Sequence, residues 1–175
     1  MKKTMLRGTL AAAALILLAG CNSADDTMTE ARAAGFHPDD ECHVCGMIVT
    51  DFPGPKGQAV GRDGTHAFCS TAELIGWWLQ PENQVAGARL YVHDMAHGSW
   101  EKPDDEHLID ATTAWYVADT DLKGAMGATL ASFANEADAH ALAAEHGGRV
   151  LRFEELDASV LQQGGSGHGG RMSMH

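Results

Sequence analysis

The sequence predicts an α+β fold of two similar small ββαβ lobes, joined to a flexible N-terminal tether and a disordered C-terminal tail. Two observations carry this. The order strand, strand, capped helix, strand occurs twice, and Phe68-Cys69-Ser70-Thr71-Ala72-Glu73 in the first half stands where Phe133-Ala134-Asn135-Glu136-Ala137-Asp138 stands in the second. Chance similarity over so short a stretch is the competing reading.

The first lobe is expected over 37–100. Met47-Thr50 and Gln58-Gly61 are β-prone runs, and Asp63-Gly64 is a hairpin signal leading into His66-Ala67-Phe68-Cys69. Ser70 with Glu73 three residues on predicts a capped helix through Leu74, Ile75, Trp77, Trp78 and Leu79, stopped by Pro81. Trp77 and Trp78 are expected to pack this helix between the lobes. Arg89–His93 then reads as a strand.

The second lobe is expected over 101–160. Ala114–Ala118 and Thr129–Phe133 read as strands, Asn135 as the cap of a helix running to His146, Gly147 as its left-handed stop, and Val150–Phe153 as a final strand. Residues 161–175 are rich in Gly and Ser, with His168, Met172, Met174 and His175, and read as a tail.

Before these lobes, Lys2, Lys3 and Arg7 precede the apolar run Leu10–Ala19 and the tetrapeptide Leu18-Ala19-Gly20-Cys21. About ten apolar residues are too few for a bilayer-spanning helix, which needs ~20, so residues 1–20 read as an export signal. A cysteine directly after the small-residue stop makes the pattern a lipobox. Cys21 is then the lipidation site and first mature residue, and residues 21–36 are the lipidated tether. Asn22 rather than Asp after the acylated cysteine favours the outer membrane, facing the periplasm.

Cleavage removes three basic residues and takes the formal charge from −12 to −15, which disfavours nucleic acid as a partner. With Cys21 acylated, three thiols remain, Cys42, Cys45 and Cys69. An odd count in an oxidising compartment leaves at least one thiol that is buried, exposed or protected by a ligand. No Ser/His/Asp arrangement, phosphate loop or paired-carboxylate pattern stands out, so hydrolysis and phosphoryl transfer have no support, and the chain is expected to be a metal carrier and not an enzyme, with a disulfide oxidoreductase as the enzymatic rival.

Cys42-His43-Val44-Cys45-Gly46-Met47 is the strongest chemical constellation, two thiols and a thioether within six residues. A thiol-disulfide oxidoreductase is one reading, although that motif opens a helix and this one runs into β-prone residues. A structural zinc site in a lipoprotein, completed by His66 and Cys69, is another. Cu(I), which accepts thiolate and thioether at low coordination number, is favoured by the adjacent Met47. Met126, set between glycines in Gly124-Ala125-Met126-Gly127, is a second source of sulfur, and Met95 beside His93 and His97 a third.

These residues resemble a known family. Cys42-x-x-Cys45-Gly46-Met47, Phe68 with the helix through Trp77-Trp78, Tyr91-Val92-x-Asp94, Gly124-x-Met126-Gly127 and Gly147-Gly148-x-Val150 are together similar to the NosL copper lipoproteins. The likeness runs from about residue 41 to 156. It implies a periplasmic Cu(I) metallochaperone serving maturation of nitrous oxide reductase, with copper passed through a membrane transporter complex toward the reductase. It also implies that the Cys-Gly-Met segment and the Met-Gly loop meet at the ion, with Cys45 ahead of Cys42 as thiolate and Met126 as preferred thioether. Cys69 and the tail residues fall outside that signature.

Overall fold

β1 (Gly57–Gly61) turns through Arg62 and Asp63 into β2 (Gly64–Phe68), antiparallel, with Gly61 opposite Gly64 and Gly57 opposite Phe68. The expected Asp63-Gly64 signal thus lies at the turn. This architecture is that of a computed structural model in which residues 33–84 and 87–163 are described. The signal, Cys21, the tether up to residue 32 and the stretch 164–175 lie outside the described residues.

Ser70 caps α1 (Thr71–Trp78), its hydroxyl accepting from the Glu73 N–H at 3.1 Å. The helix lays Leu74 and Ile75 on the sheet, both buried, with Trp77 and Trp78 half-buried against the same cluster. After the short α2 (Pro81–Gln84), β3 (Arg89–His93) pairs with the free edge of β1, and β4 (Leu108–Asp110) pairs with β3. The first sheet therefore has the order β2-β1-β3-β4, and Leu108–Asp110 is a strand not expected from the pattern.

The second half repeats the plan. β5 (Trp115–Ala118) is flanked by β8 (Ala131–Phe133) and β9 (Arg149–Arg152), all antiparallel, in the order β8-β5-β9. In each half the first strand is central, the second and third lie at its two edges, and a helix joins the second to the third, here α3 (Glu136–His146). Phe68 and Phe133 both end the second strand, and Ser70 and Asn135 both stand at the following N-cap.

The fold is thus α+β, built from antiparallel sheets, as expected. One continuous core serves both halves: Phe68, Leu74, Ile75, Leu90 and Val92 of the first pack with Tyr116, Leu130, Leu151 and Val160 of the second. Each such side chain fully buried contributes ~1.5–3 kcal/mol.

Several expectations are corrected. Met47–Thr50 is no strand: Ile48 forms one isolated bridge with Glu41, and Val49–Asp51 is a 3-10 turn. Pro53 and Pro55 follow at once, and neither has an N–H to continue a ladder. Asn135 sits at the N-cap of α3 without a side-chain cap bond, its amide donating instead to Asp138 Oδ2 at 3.3 Å. Gly147 ends α3 at φ 72° but ψ −173°, outside the left-handed helical basin. Ala34 and Phe36, expected in the tether, are held by the fold: the Ala34 N–H donates to Gln58 Oε1, Gln58 Nε2 donates back to the Ala34 carbonyl, and the Phe36 N–H donates to Asp105 Oδ2. Residues 161–163, expected to begin the tail, complete α4 (Ala158–Gln163). Between β5 and β8 the second half carries an extra hairpin, β6 (Lys123–Gly124) and β7 (Gly127–Ala128), with Ala125 and Met126 at its tip.

Candidate metal centre

The segment Cys42–Met47 closes on itself. The Cys42 N–H donates to the Met47 carbonyl and the Gly46 N–H to the Cys42 carbonyl, both at 2.8 Å. Gly46 takes φ 72°, which the closure requires and a side chain resists. The loop is anchored to the first sheet because the His43 N–H donates to the Ala67 carbonyl and Cys42 forms a parallel bridge with Ala67. That bridge brings Cys42 beside the end of β2, and Cys69 is the residue between β2 and the N-cap of α1.

Three sulfur atoms converge as a result. The Sγ atoms of Cys42, Cys45 and Cys69 lie within 4.8 Å of one another, and those of Cys45 and Cys69 are 3.6 Å apart. A disulfide requires ~2.05 Å, and all three thiols are free. Cys42 and Cys69 are buried and Cys45 is half-buried, so Cys45 lies nearest the solvent.

The three thiols are not equivalent. Burial works against ionising Cys42, but the backbone N–H groups of Cys69, Cys45 and Val44 and the Cys45 thiol outweigh it, so its pKa falls below the usual thiol range. Burial first, then the neighbouring Cys42 and Cys45, pushes Cys69 far above that range. Ionisation is thus favoured at Cys42 and opposed at Cys69, and an ion bound by all three sulfurs displaces protons.

Met47 and Ala125 both pack, half-buried, against the cluster formed by Phe36, Cys42, Val49 and Cys69. The β6–β7 hairpin thus touches the thiol cluster through one tip residue, Ala125. The other, Met126, is 57% exposed and lines a groove of about 440 Å³ with Val44, Trp77 and Glu73. Met95 packs instead with Trp100 against Val117 and Phe133, in a different cluster.

Cys42, Cys45 and Cys69 are thus gathered at one end of the first sheet with Met47 packed against them, whereas Met126 lies on the exposed groove; sequence reasoning gave Cys69 a place only in the zinc reading. The signal was present: a cysteine directly after the hairpin strand and directly before a helix cap has its position fixed by two elements. His66, considered as a zinc ligand, is not in the three-sulfur group. Its ring lies tilted against that of His43 with centroids 4.1 Å apart, both rings lie against Trp77, and its Nε2 is 3.3 Å from Asp63 Oδ2. The Cys-x-x-Cys segment opens no helix, which removes the feature that activates a thioredoxin-type thiol.

An α+β domain with three unpaired thiols gathered at a loop edge, and Met47 packed against them, carries a donor set that could hold a soft metal ion. The comparisons narrow this class. Residues 33–161 match the NosL family model, and the chain belongs to the NosL family. It is 61% identical over 169 residues to the copper-binding lipoprotein NosL of Stutzerimonas stutzeri, covering 96% of this chain and 89% of that protein. It is 34% identical to the copper-binding lipoprotein NosL of Achromobacter cycloclastes, covering 91% and 84%. The crystal structure of the copper chaperone NosL from Shewanella denitrificans superposes with a TM-score of 0.70 at 40% identity, covering 74% of this chain and 98% of that one.

Proposed function

We propose that this chain is a Cu(I) carrier of the cell envelope. The ion is bound by the thiols of Cys42, Cys45 and Cys69, with Met126 or Met47 supplying a thioether, and is handed to a partner. The convergence of three unpaired sulfurs supports this reading most directly. Thiolates alone suit zinc as well, and Met47, packed against the cluster, favours the softer, monovalent ion. The names of the relatives point the same way.

Release follows from position. Cys45 is the accessible thiol, so an incoming partner sulfur can add on that side before the buried pair lets go, and copper never passes free through solvent. The partner is a membrane transporter complex and, through it, nitrous oxide reductase. Cys21 carries the lipid that keeps the carrier at the periplasmic face of the envelope, at the outer membrane. The chain performs no catalysis of its own.

The test is competition for Cu(I) between the reduced protein and a chromophoric chelator. Cys45→Ser and Met126→Ala are each expected to weaken binding about tenfold or more, ~1.4 kcal/mol per factor of ten, with the fold intact by circular dichroism. Near-native affinity in both variants, or a preference for zinc over copper, rejects the assignment.

A further inference from the structure

Lys56 is a buried charge that the copper site does not use. It directly precedes β1 and is only 4% exposed, and no carboxylate among the described residues pairs with its ammonium group. Two of the three N–H groups on Nζ are satisfied, donating to the Phe52 carbonyl at 2.6 Å and to the Pro53 carbonyl at 3.0 Å. Neutral carbonyls solvate a cation but leave its charge uncompensated, and a buried charge ordinarily has a partner of opposite sign. Burial lowers the pKa to about 8, so the group keeps most of its charge at neutral pH. The one ionisable group that favours this charge is Cys69, whose own thiol is kept from ionising by burial.

Lys56 lines a cavity of about 310 Å³, at the small end of the ~300–1,000 Å³ typical of ligand sites. Phe36 belongs both to the wall of this cavity and to the cluster around Cys42 and Cys69, and none of the three cysteines lines the cavity. Its buried part is held rigidly. The Lys56 N–H donates to His93 Nδ1 at 2.9 Å, His93 Nε2 donates to Asp105 Oδ1 at 2.8 Å, and the Phe36 N–H donates to Asp105 Oδ2 at 3.1 Å. The rings of Phe36 and His93 lie with centroids 5.3 Å apart, and Phe52 and Pro103 add apolar surface. Lys102 and Glu101 are exposed and stand at the mouth.

We infer that this cavity binds a small organic acid, with the carboxylate of the ligand on Lys56 and an apolar body against Phe36 and Phe52. The charges are graded to suit it. The deep end holds the unpaired ammonium of Lys56, and Lys102 adds a second cation at the entrance. The two acidic residues of the lining lie toward solvent: Glu101 is exposed, and the Asp105 side chain is 41% exposed with both oxygens already accepting hydrogen bonds. An anionic group is therefore drawn inward, where it completes the third N–H of Lys56, while aromatic walls cover the rest of the ligand. An inorganic oxyanion leaves those walls uncovered. Binding requires no metal, so this site stands or falls separately from the proposed copper centre.

The experiment titrates three probes into the reduced, copper-free full chain and follows protein signals by NMR. These are 3-phenylpropanoate, phenethylamine, which has a similar body and the opposite charge, and inorganic phosphate, which has negative charge and no body. The acid is expected to saturate with a Kd of about 1 mM or tighter, with nuclear Overhauser contacts from its ring to Phe36 and Phe52. The amine and phosphate are expected to bind about tenfold more weakly or worse. Lys56→Gln is expected to lose about tenfold or more in affinity for the acid. Lys102→Gln leaves the buried bonds intact and should lose about threefold, which reads the charge dependence even where Lys56→Gln fails to fold. Shifts that stay linear in the concentration of the acid, ring contacts away from Phe36 and Phe52, or equal binding of the amine overturn the inference. A folded Lys56→Gln protein that binds the acid like the parent but has lost Cu(I) affinity also overturns it, and assigns the ammonium group to the copper thiolates.

Discussion

At the scale of single residues, the protonation states of the three thiols make the ligand set testable. Cys69 is held protonated in the free protein by burial and by its two neighbours, whereas backbone N–H groups favour the Cys42 thiolate. If Cys69 ligates copper it must release its proton, so affinity rises with pH and is lost as pH falls. In Cys69→Ser that proton is no longer released, and the slope of log affinity against pH between pH 6 and 8 is expected to fall by about one. An unchanged slope in a folded Cys69→Ser protein shows that copper is held by the other two thiols. Cys42, Cys45 and Met47 were legible because they share six residues of sequence. Cys69 was legible only as a completing ligand of the zinc reading, since the bridge between Cys42 and Ala67 that makes it their neighbour is a tertiary pairing.

Among the elements, those with local punctuation were readable and those set by tertiary pairing were not. Ser70 and Glu73 announce α1, and Asp63-Gly64 the hairpin before it. The Met47–Thr50 run has the composition of a strand but only one bridged residue, because the chain must turn at Val49–Asp51 to reach β1. β4 has three residues, too few for a period to show. The approach of α1 to β1 governs the site, since Cys69 immediately precedes the helix cap. Gly57 on β1 lies under Leu74: a Cβ there would stand 2.6 Å from Leu74 Cδ2 and 2.9 Å from its Cβ. Gly57→Ala must therefore push α1 away from the sheet, at a cost of about 1–3 kcal/mol, read as a lower urea midpoint. The same displacement moves Cys69 relative to Cys42, so Cu(I) affinity should fall as well. A variant with wild-type midpoint and wild-type affinity contradicts this account of how the helix sets the sulfur geometry.

At the scale of the whole molecule, the two repeated halves are joined where β3 meets β8. The Ser132 hydroxyl donates to the His93 carbonyl at 2.7 Å, the Met95 N–H to the Ser132 carbonyl at 2.8 Å, and the Ala134 N–H to Asp94 Oδ1 at 3.3 Å. Thr71 at the start of α1 adds a bond from its hydroxyl to the Leu130 carbonyl. The His93 ring is fixed within this joint. Its Nδ1 accepts from the Lys56 N–H at 2.9 Å, which leaves the proton on Nε2 to be donated to Asp105 Oδ1 at 2.8 Å. The side chain is 1% exposed, and burial lowers its pKa below 6.5 even though the hydrogen bond and charge of Asp105 act the other way. An unfolded chain therefore takes up this proton at a higher pH than the native one, so stability falls as pH drops below about 6.5 and continues to fall until the native ring is itself protonated. Each pH unit within that window removes up to ~1.4 kcal/mol. Protonation also places a donor on Nδ1 against the Lys56 N–H, so the ring loses that bond. His93→Gln, which does not titrate there, should flatten urea midpoints between pH 7 and pH 5 relative to the parent chain, although it lowers them at pH 7. Parallel profiles for the two proteins assign the acid sensitivity to other groups, and the joint between the halves is then insensitive to the charge on His93.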